Sequence, residues 1–157
     1  MKLKIADLIH DMSCAGIHPE TCRGRINHYT AEHLLTPVRQ TNTTPSVYSL
    51  RDSALAIVFA AVQDICYKPD RDLLWEVGLV AHCHLDRCLA GIAAGEAWTL
   101  IVHTYRDLGV RAHARLVGPG ETHPVMPYSL ARGSLIVPLN EMLKPVLRRL
   151  NPPKGAN

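Results

Sequence analysis

Three short stretches bring together side chains with chemistry to offer. In TCRGRINHY, Thr21 to Tyr29, Arg23, Arg25 and Asn27 recur at every second position. On a helix, residues four apart share a side, so Thr21 stands over Arg25 and Arg23 over Asn27, while Cys22 and Ile26 turn inward. Arginine pairs bidentately with a guanine edge and asparagine with an adenine edge, so Arg25 and Asn27 are the expected base readers, on a helix that can enter a major groove. Gly24 keeps the helix slim between them, and His28 adds a further polar group. The polar run that follows offers Arg39, Gln40, Thr41, Asn42 and Thr43, side chains able to reach phosphates or a minor groove.

The second stretch is AHCHLDRC, with His82, Cys83, His84 and Cys88. Thiolate and imidazole suit zinc and softer metals. Successive helical residues diverge by about 100°, so only His84 and Cys88 share a face. A metal there needs a third ligand from Cys66, His103, His113 or His123. The simpler reading places Cys88 in the apolar stripe Leu74, Val77, Ala81, Leu85, Cys88 and Ile92, as a small buried hydrophobe. No metal and no cofactor is therefore expected. The third stretch, VRAHARLV, alternates: Val110, Ala112, Ala114 and Leu116 face one way, and Arg111, His113 and Arg115 the other. Such a cationic row can hold an anion, but it is more often the wet face of an antiparallel sheet.

The elements positioning these groups follow from period and punctuation. Ile5, Leu8 and Ile9 predict a first helix from Lys4 to about Met12, and SCAG a turn. Pro19, preceded by His18 and followed by Glu20, predicts the start of a second helix. Pro37 to Pro45 is rich in Thr and Asn; Val38 and Val47-Tyr48 on its flanks predict a strand pair with a loop tip. Ser49 and Asp52 form a capping-box variant ahead of the apolar helix SALAIVFAAVQDI. A long helix from about Asp70 to Ala93 comes next. WTLIVHTY and VRAHARLV then predict a hairpin, GSLIVPL a third strand, and NEMLKPVLRRL a terminal helix with Asn140 as a cap and Pro145 as a kink or a true start.

Helix, turn, helix, polar strand pair and helix, in that order, resemble the winged-helix DNA-binding domain of the MerR family. IADLI matches its first helix and GIHPETCR the turn and start of the second. LLTPVRQ matches the entry to the wing, and VYSLRDSALAIVF its exit and the following helix. The resemblance covers roughly the first 65 residues. It implies DNA contacts by Thr21 and Arg23 from the second helix and Arg39 from the wing, and a phosphate contact by Tyr48.

The bulk properties agree with a folded chain of this kind. Of 157 residues, 47% are hydrophobic and 20% charged, which argues against disorder. A net charge of +3 permits a nucleic-acid partner without requiring one. Five cysteines at irregular spacings fit a reducing cytoplasm, and Asp7 and Asp11 interrupt any signal-peptide pattern. No apolar run reaches membrane-spanning length, so no membrane partner is expected. No phosphate loop, HExxH or GxSxG is present, so we expect no enzyme.

The expected fold is α+β: a winged helix-turn-helix over residues 1–68, then over 69–157 a long helix, a small antiparallel sheet and a terminal helix for dimerisation and an effector. The expected function is a dimeric, sequence-specific transcriptional regulator on double-stranded DNA, because two-fold protein symmetry matches inverted half-sites. RNA polymerase or an effector would be its further partner. The alternatives are an architectural, excisionase-like DNA-binding factor and an anti-repressor-type protein-interaction module.

Overall fold

The computed structural model describes residues 1–38, 45–66, 71–105, 112–121 and 131–151. The architecture is α+β: helices, then a small antiparallel sheet, then terminal helices. Two compact units are present, Met1–Ala60 with Glu141–Asn157, and Ala61–Asn140. The linear division expected near residue 68 thus differs from the compact units, since the C-terminal segment belongs with the first.

In the first unit, α1 (Ile5–Cys14) and α2 (Pro19–Ala31) pack together, and α3 (Leu50–Ile65) begins after a strand-like passage. His18 is the N-cap of α2 and Pro19 opens it, where a missing N–H leaves no bond unmade. His33 closes it in the left-handed region, φ 59°. There Leu34 N donates to Tyr29 O at 2.8 Å and His33 N to Thr30 O at 3.2 Å, a Schellman pair that satisfies two of the last carbonyls. Val38 and Val47 exchange backbone hydrogen bonds at 2.8 and 3.1 Å, and Leu3 pairs with Tyr48. The tip of the expected wing, with Arg39 to Thr43, lies outside the described residues.

The capping box of α3 forms as its sequence predicts. Ser49 N donates to Asp52 Oδ2 at 2.8 Å, and Asp52 N to Ser49 Oγ at 3.0 Å. Asp52 also accepts from Thr36 N at 3.2 Å, which ties the passage after α2 to the helix start. Ala54 to Ala60 are all buried, as an all-round apolar helix must be. Tyr29 and Phe59 meet with ring centroids 5.3 Å apart, in a tilted pair at the centre of this core.

In the second unit, α4 (Arg71–Ala93) buries Leu74, Val77, Ala81, Leu85, Cys88 and Ile92, the stripe read from the sequence. Strands β1 (Thr99–Tyr105), β2 (Ala112–Val117) and β3 (Ala131–Pro138) form an antiparallel sheet of order β2-β1-β3. The pairs Val102↔Ala114 and Leu100↔Leu116 bring apolar side chains to one face, and α4 packs along β2. Ala112, Ala114 and Leu116 are buried, whereas His113 is exposed and Arg115 half-buried, so the alternation holds from Ala112 onward, while Val110 and Arg111 lie outside the described residues.

The chain end is two short helices, α5 (Leu139–Met142) and α6 (Lys144–Leu150), the second with Pro145 in its first turn. Pro145 therefore marks a true start, because its ring would clash inside a continuous helix. Asn140 is not the expected cap for that terminal helix. Its side chain accepts from Trp98 N at 2.8 Å and donates to Glu96 O at 2.7 Å, bracing the entry to β1.

Candidate nucleic-acid interface

Helix α2 is anchored by one side. Cys22, Ile26 and Tyr29 are buried, which turns Thr21, Arg23, Gly24, Asn27 and His28 outward. At about 100° per residue, Arg23 and Asn27 form one edge of the exposed arc, and Thr21 and His28 the other. Gly24, Ala31 and the first-turn Glu20 lie between them, and a Cβ added at Gly24 would meet nothing within 4 Å. Glu20 is the one acidic side chain on this arc of α2. Thr21 Oγ1 donates to His18 O at 2.8 Å, so its hydroxyl supports the first turn.

Two residues expected at this surface are placed elsewhere. Arg25 is half-buried, and its Nη1 donates to the carbonyl of Ala60 at 3.3 Å. Its guanidinium therefore ties α2 to α3 rather than joining the outer arc. The reason is angular: Arg25 lies about 60° from the buried Cys22 around the helix, closer to the core than to Asn27. Tyr48 is also buried, 4% exposed, and its hydroxyl lies 3.4 Å from Thr30 Oγ1. It packs beneath α2 instead of presenting itself to a phosphate. Arg39, Gln40, Thr41, Asn42 and Thr43 fall outside the described residues. Beside the arc, an open cleft of about 710 Å³ is bordered by Lys4, Asn27, Thr30, Ser46 and Tyr48.

The metal-ligand candidates separate. Cys88 is fully buried, and desolvation pushes its thiol up to about 12, which keeps it neutral. His84 is exposed and borders a cleft that also takes in His113. His103 Nδ1 is 2.7 Å from Ser134 Oγ, and burial raises the Cys66 thiol above its usual range. His123 lies outside the described residues. Among the described residues, no three His, Cys, Asp or Glu side chains are placed to hold a metal, and no helix is long and apolar enough to cross a membrane.

The Cys88 displacement carries a stability prediction. Its folded value lies above the ordinary 9.0, so its contribution is complete below that value and is lost as pH rises toward about 12. Wild-type stability in urea should fall across this window more steeply than that of Cys88→Ala, by up to about 1.4 kcal/mol per pH unit. Parallel slopes for the two proteins would show that the thiol is not held neutral.

Groups that spacing alone did not single out also organise the molecule. Asp11 is 1% exposed and accepts from Arg149 Nε at 2.7 Å and Ser53 Oγ at 2.8 Å. Its signal was an acidic residue three positions after Leu8, on the inward stripe of α1. Trp98 is wedged against Gly91 and Gly118, and the only sequence sign was glycine at both sites. No family model, curated protein or solved structure matches this chain.

Proposed function

We propose that the protein is a sequence-specific DNA-binding transcriptional regulator that acts as a dimer on an inverted-repeat site. In this reading α1, α2 and the Val38–Val47 pair make a winged helix-turn-helix, and α2 enters the major groove. The observation that carries it is the outer arc of α2: Arg23 and Asn27 on one edge, Thr21 and His28 on the other, and between them Gly24 and Ala31, which are small, beside the first-turn Glu20. Arginine and asparagine are the side chains whose paired donors and acceptors match guanine and adenine edges. Arg25 now has a different role, holding α2 at its angle on α3 through Ala60. Trp75 and Leu79, 46% and 62% exposed and four residues apart on α4, supply apolar surface for a second protomer to bury.

Selection from a random duplex pool at physiological salt, followed by sequencing, tests the reading. Wild-type protein should enrich an inverted repeat. Arg23→Ala should weaken binding to that site by about 1–3 kcal/mol and relax preference at one position of each half-site. Arg25→Ala should lower the melting temperature and leave the preferred sequence unchanged. A folded wild-type protein that enriches no sequence would sink the proposal.

A further inference from the structure

The second unit contains a polar cleft of about 400 Å³ between α4 and the outer strand β2. Two guanidiniums from different elements converge there on one carboxylate. Arg87 of α4 lies 3.3 Å from Glu121 Oε1, and Arg115 of β2 lies 3.9 Å from Glu121 Oε2. Each guanidinium carries five N–H donors, so this single carboxylate leaves most of them for another acceptor. Arg87 also rests over the ring of Trp98, 5.4 Å from its centroid, which limits where its charge can go. His84 and His113 complete the polar wall from the same two elements.

The frame around the cleft is built rather than incidental. Trp98 is 3% exposed, and a Cβ at Gly118 would come within 2.8 Å of its ring. A side chain at Gly91 would run into its indole nitrogen. Gly118 begins the turn that delivers Glu121: Glu121 N donates to Gly118 O at 3.2 Å, and Gly120 takes φ +75°, a conformation that suits glycine. Glu121 thus enters the cleft from a turn, at its end, while both arginines are fixed by helix and strand. Arg87, Arg115 and Glu121 together carry two positive charges and one negative. Arg87 is 68% and Arg115 41% exposed at the side chain, and ion pairs this open to water on the cationic side contribute little to stability, so this convergence has small value as a staple alone.

We propose that this cleft binds a small oxyanion, a carboxylate or phosphate group, between Arg87 and Arg115, with Glu121 as a tethered internal competitor. The guanidinium fork matches either group bidentately. The inference is independent of the DNA-binding reading.

Isothermal titration of the full-length protein with sodium phosphate, and separately with sodium citrate, tests it at constant ionic strength set with chloride. At least one anion should bind saturably, and which one distinguishes phosphate from carboxylate. Arg115→Gln and Arg87→Gln should each weaken that binding by about tenfold, the loss of one charge-assisted hydrogen bond. Glu121→Gln should tighten it. Arg87 is 68% exposed at its side chain, so its variant leaves the fold intact and remains decisive if another variant unfolds. Absence of saturable binding in both wild type and Glu121→Gln overturns the proposal. So does wild-type affinity in every arginine variant that folds, which would place the anion elsewhere. Unchanged or weaker affinity in folded Glu121→Gln would overturn the role of Glu121 as competitor.

Discussion

Arg149→Met should destabilise the first unit by about 3 kcal/mol, the lower part of the range for breaking a buried ion pair. The substitution keeps most of the apolar stem and removes only the guanidinium. Asp11 is then left 1% exposed with, among the described residues, a single remaining side-chain donor, Ser53 Oγ at 2.8 Å. In the wild type, Arg149 Nε donates to both Asp11 oxygens, at 2.7 and 2.9 Å, and Nη2 approaches Asp7 at 3.5 Å. The Arg149 side chain is 25% exposed, and the water reaching it is why we take the low end. Its guanidinium is held above the ordinary arginine range, first by the hydrogen bond to Asp11, against a partial desolvation cost. A cation with a raised folded value contributes fully below its unfolded value. This contribution is therefore constant through neutral and mildly alkaline pH and lost only in strong alkali.

Urea denaturation of Arg149→Met and of the double variant Asp11→Leu/Arg149→Met gives the check. Replacing both partners by apolar groups removes the uncompensated charge, so the double variant should recover much of the loss. A single-variant loss below about 1 kcal/mol would mean that water satisfies Asp11 and that the pair contributes no more than a surface bridge.

Trp98→Ala should cost about 3–5 kcal/mol, the range for truncating a buried aromatic residue. Trp98 is 3% exposed, and its Nε1 donates to Glu96 Oε2 at 3.0 Å. Its backbone N–H is held by Asn140, and its carbonyl accepts from Leu139 N at 3.1 Å. Gly118→Ala attacks the same contact from the other side. Its Cβ would meet Trp98 Cζ2 at 2.8 Å, an overpacking worth about 1–3 kcal/mol. The two substitutions should couple, because removing the indole makes room for the new methyl. Melting curves of both single variants and the double should show a combined loss smaller than the sum. Strict additivity would mean that Gly118 and Trp98 do not constrain each other.

Helix existence and strand alternation were legible because their causes act within a few residues. The stripe from Leu74 to Ile92, the Ser49–Asp52 box, Pro19 opening α2 and Pro145 opening α6 all depend on groups within a turn or on an element's own period. Ala112, Ala114 and Leu116 were assignable to a buried face for the same reason. The α2 surface was legible in part. Cys22 and Ile26 fixed which side packs, and so exposed Arg23 and Asn27.

Arg25 shows where that reasoning ends. Spacing placed it one turn beyond Thr21, but its intermediate angle let its long side chain reach a carbonyl 35 residues away. Tyr48 likewise followed a polar loop in sequence, yet its pairing with Leu3 carries it under Thr30.

The sequence by itself thus determined the main helices, the caps of α2 and α3, the buried face of β2 and most of the outward face of α2, since local hydrogen bonding and side-chain period set all of these. The tertiary structure alone decided that Arg149 meets Asp11 across 138 positions, that Trp98 fills the space left by two glycines, and that Arg87 and Arg115 converge on Glu121. Those pairings depend on how separate elements pack, and a charge or a missing side chain in one element carries no record of which distant group will occupy the space beside it.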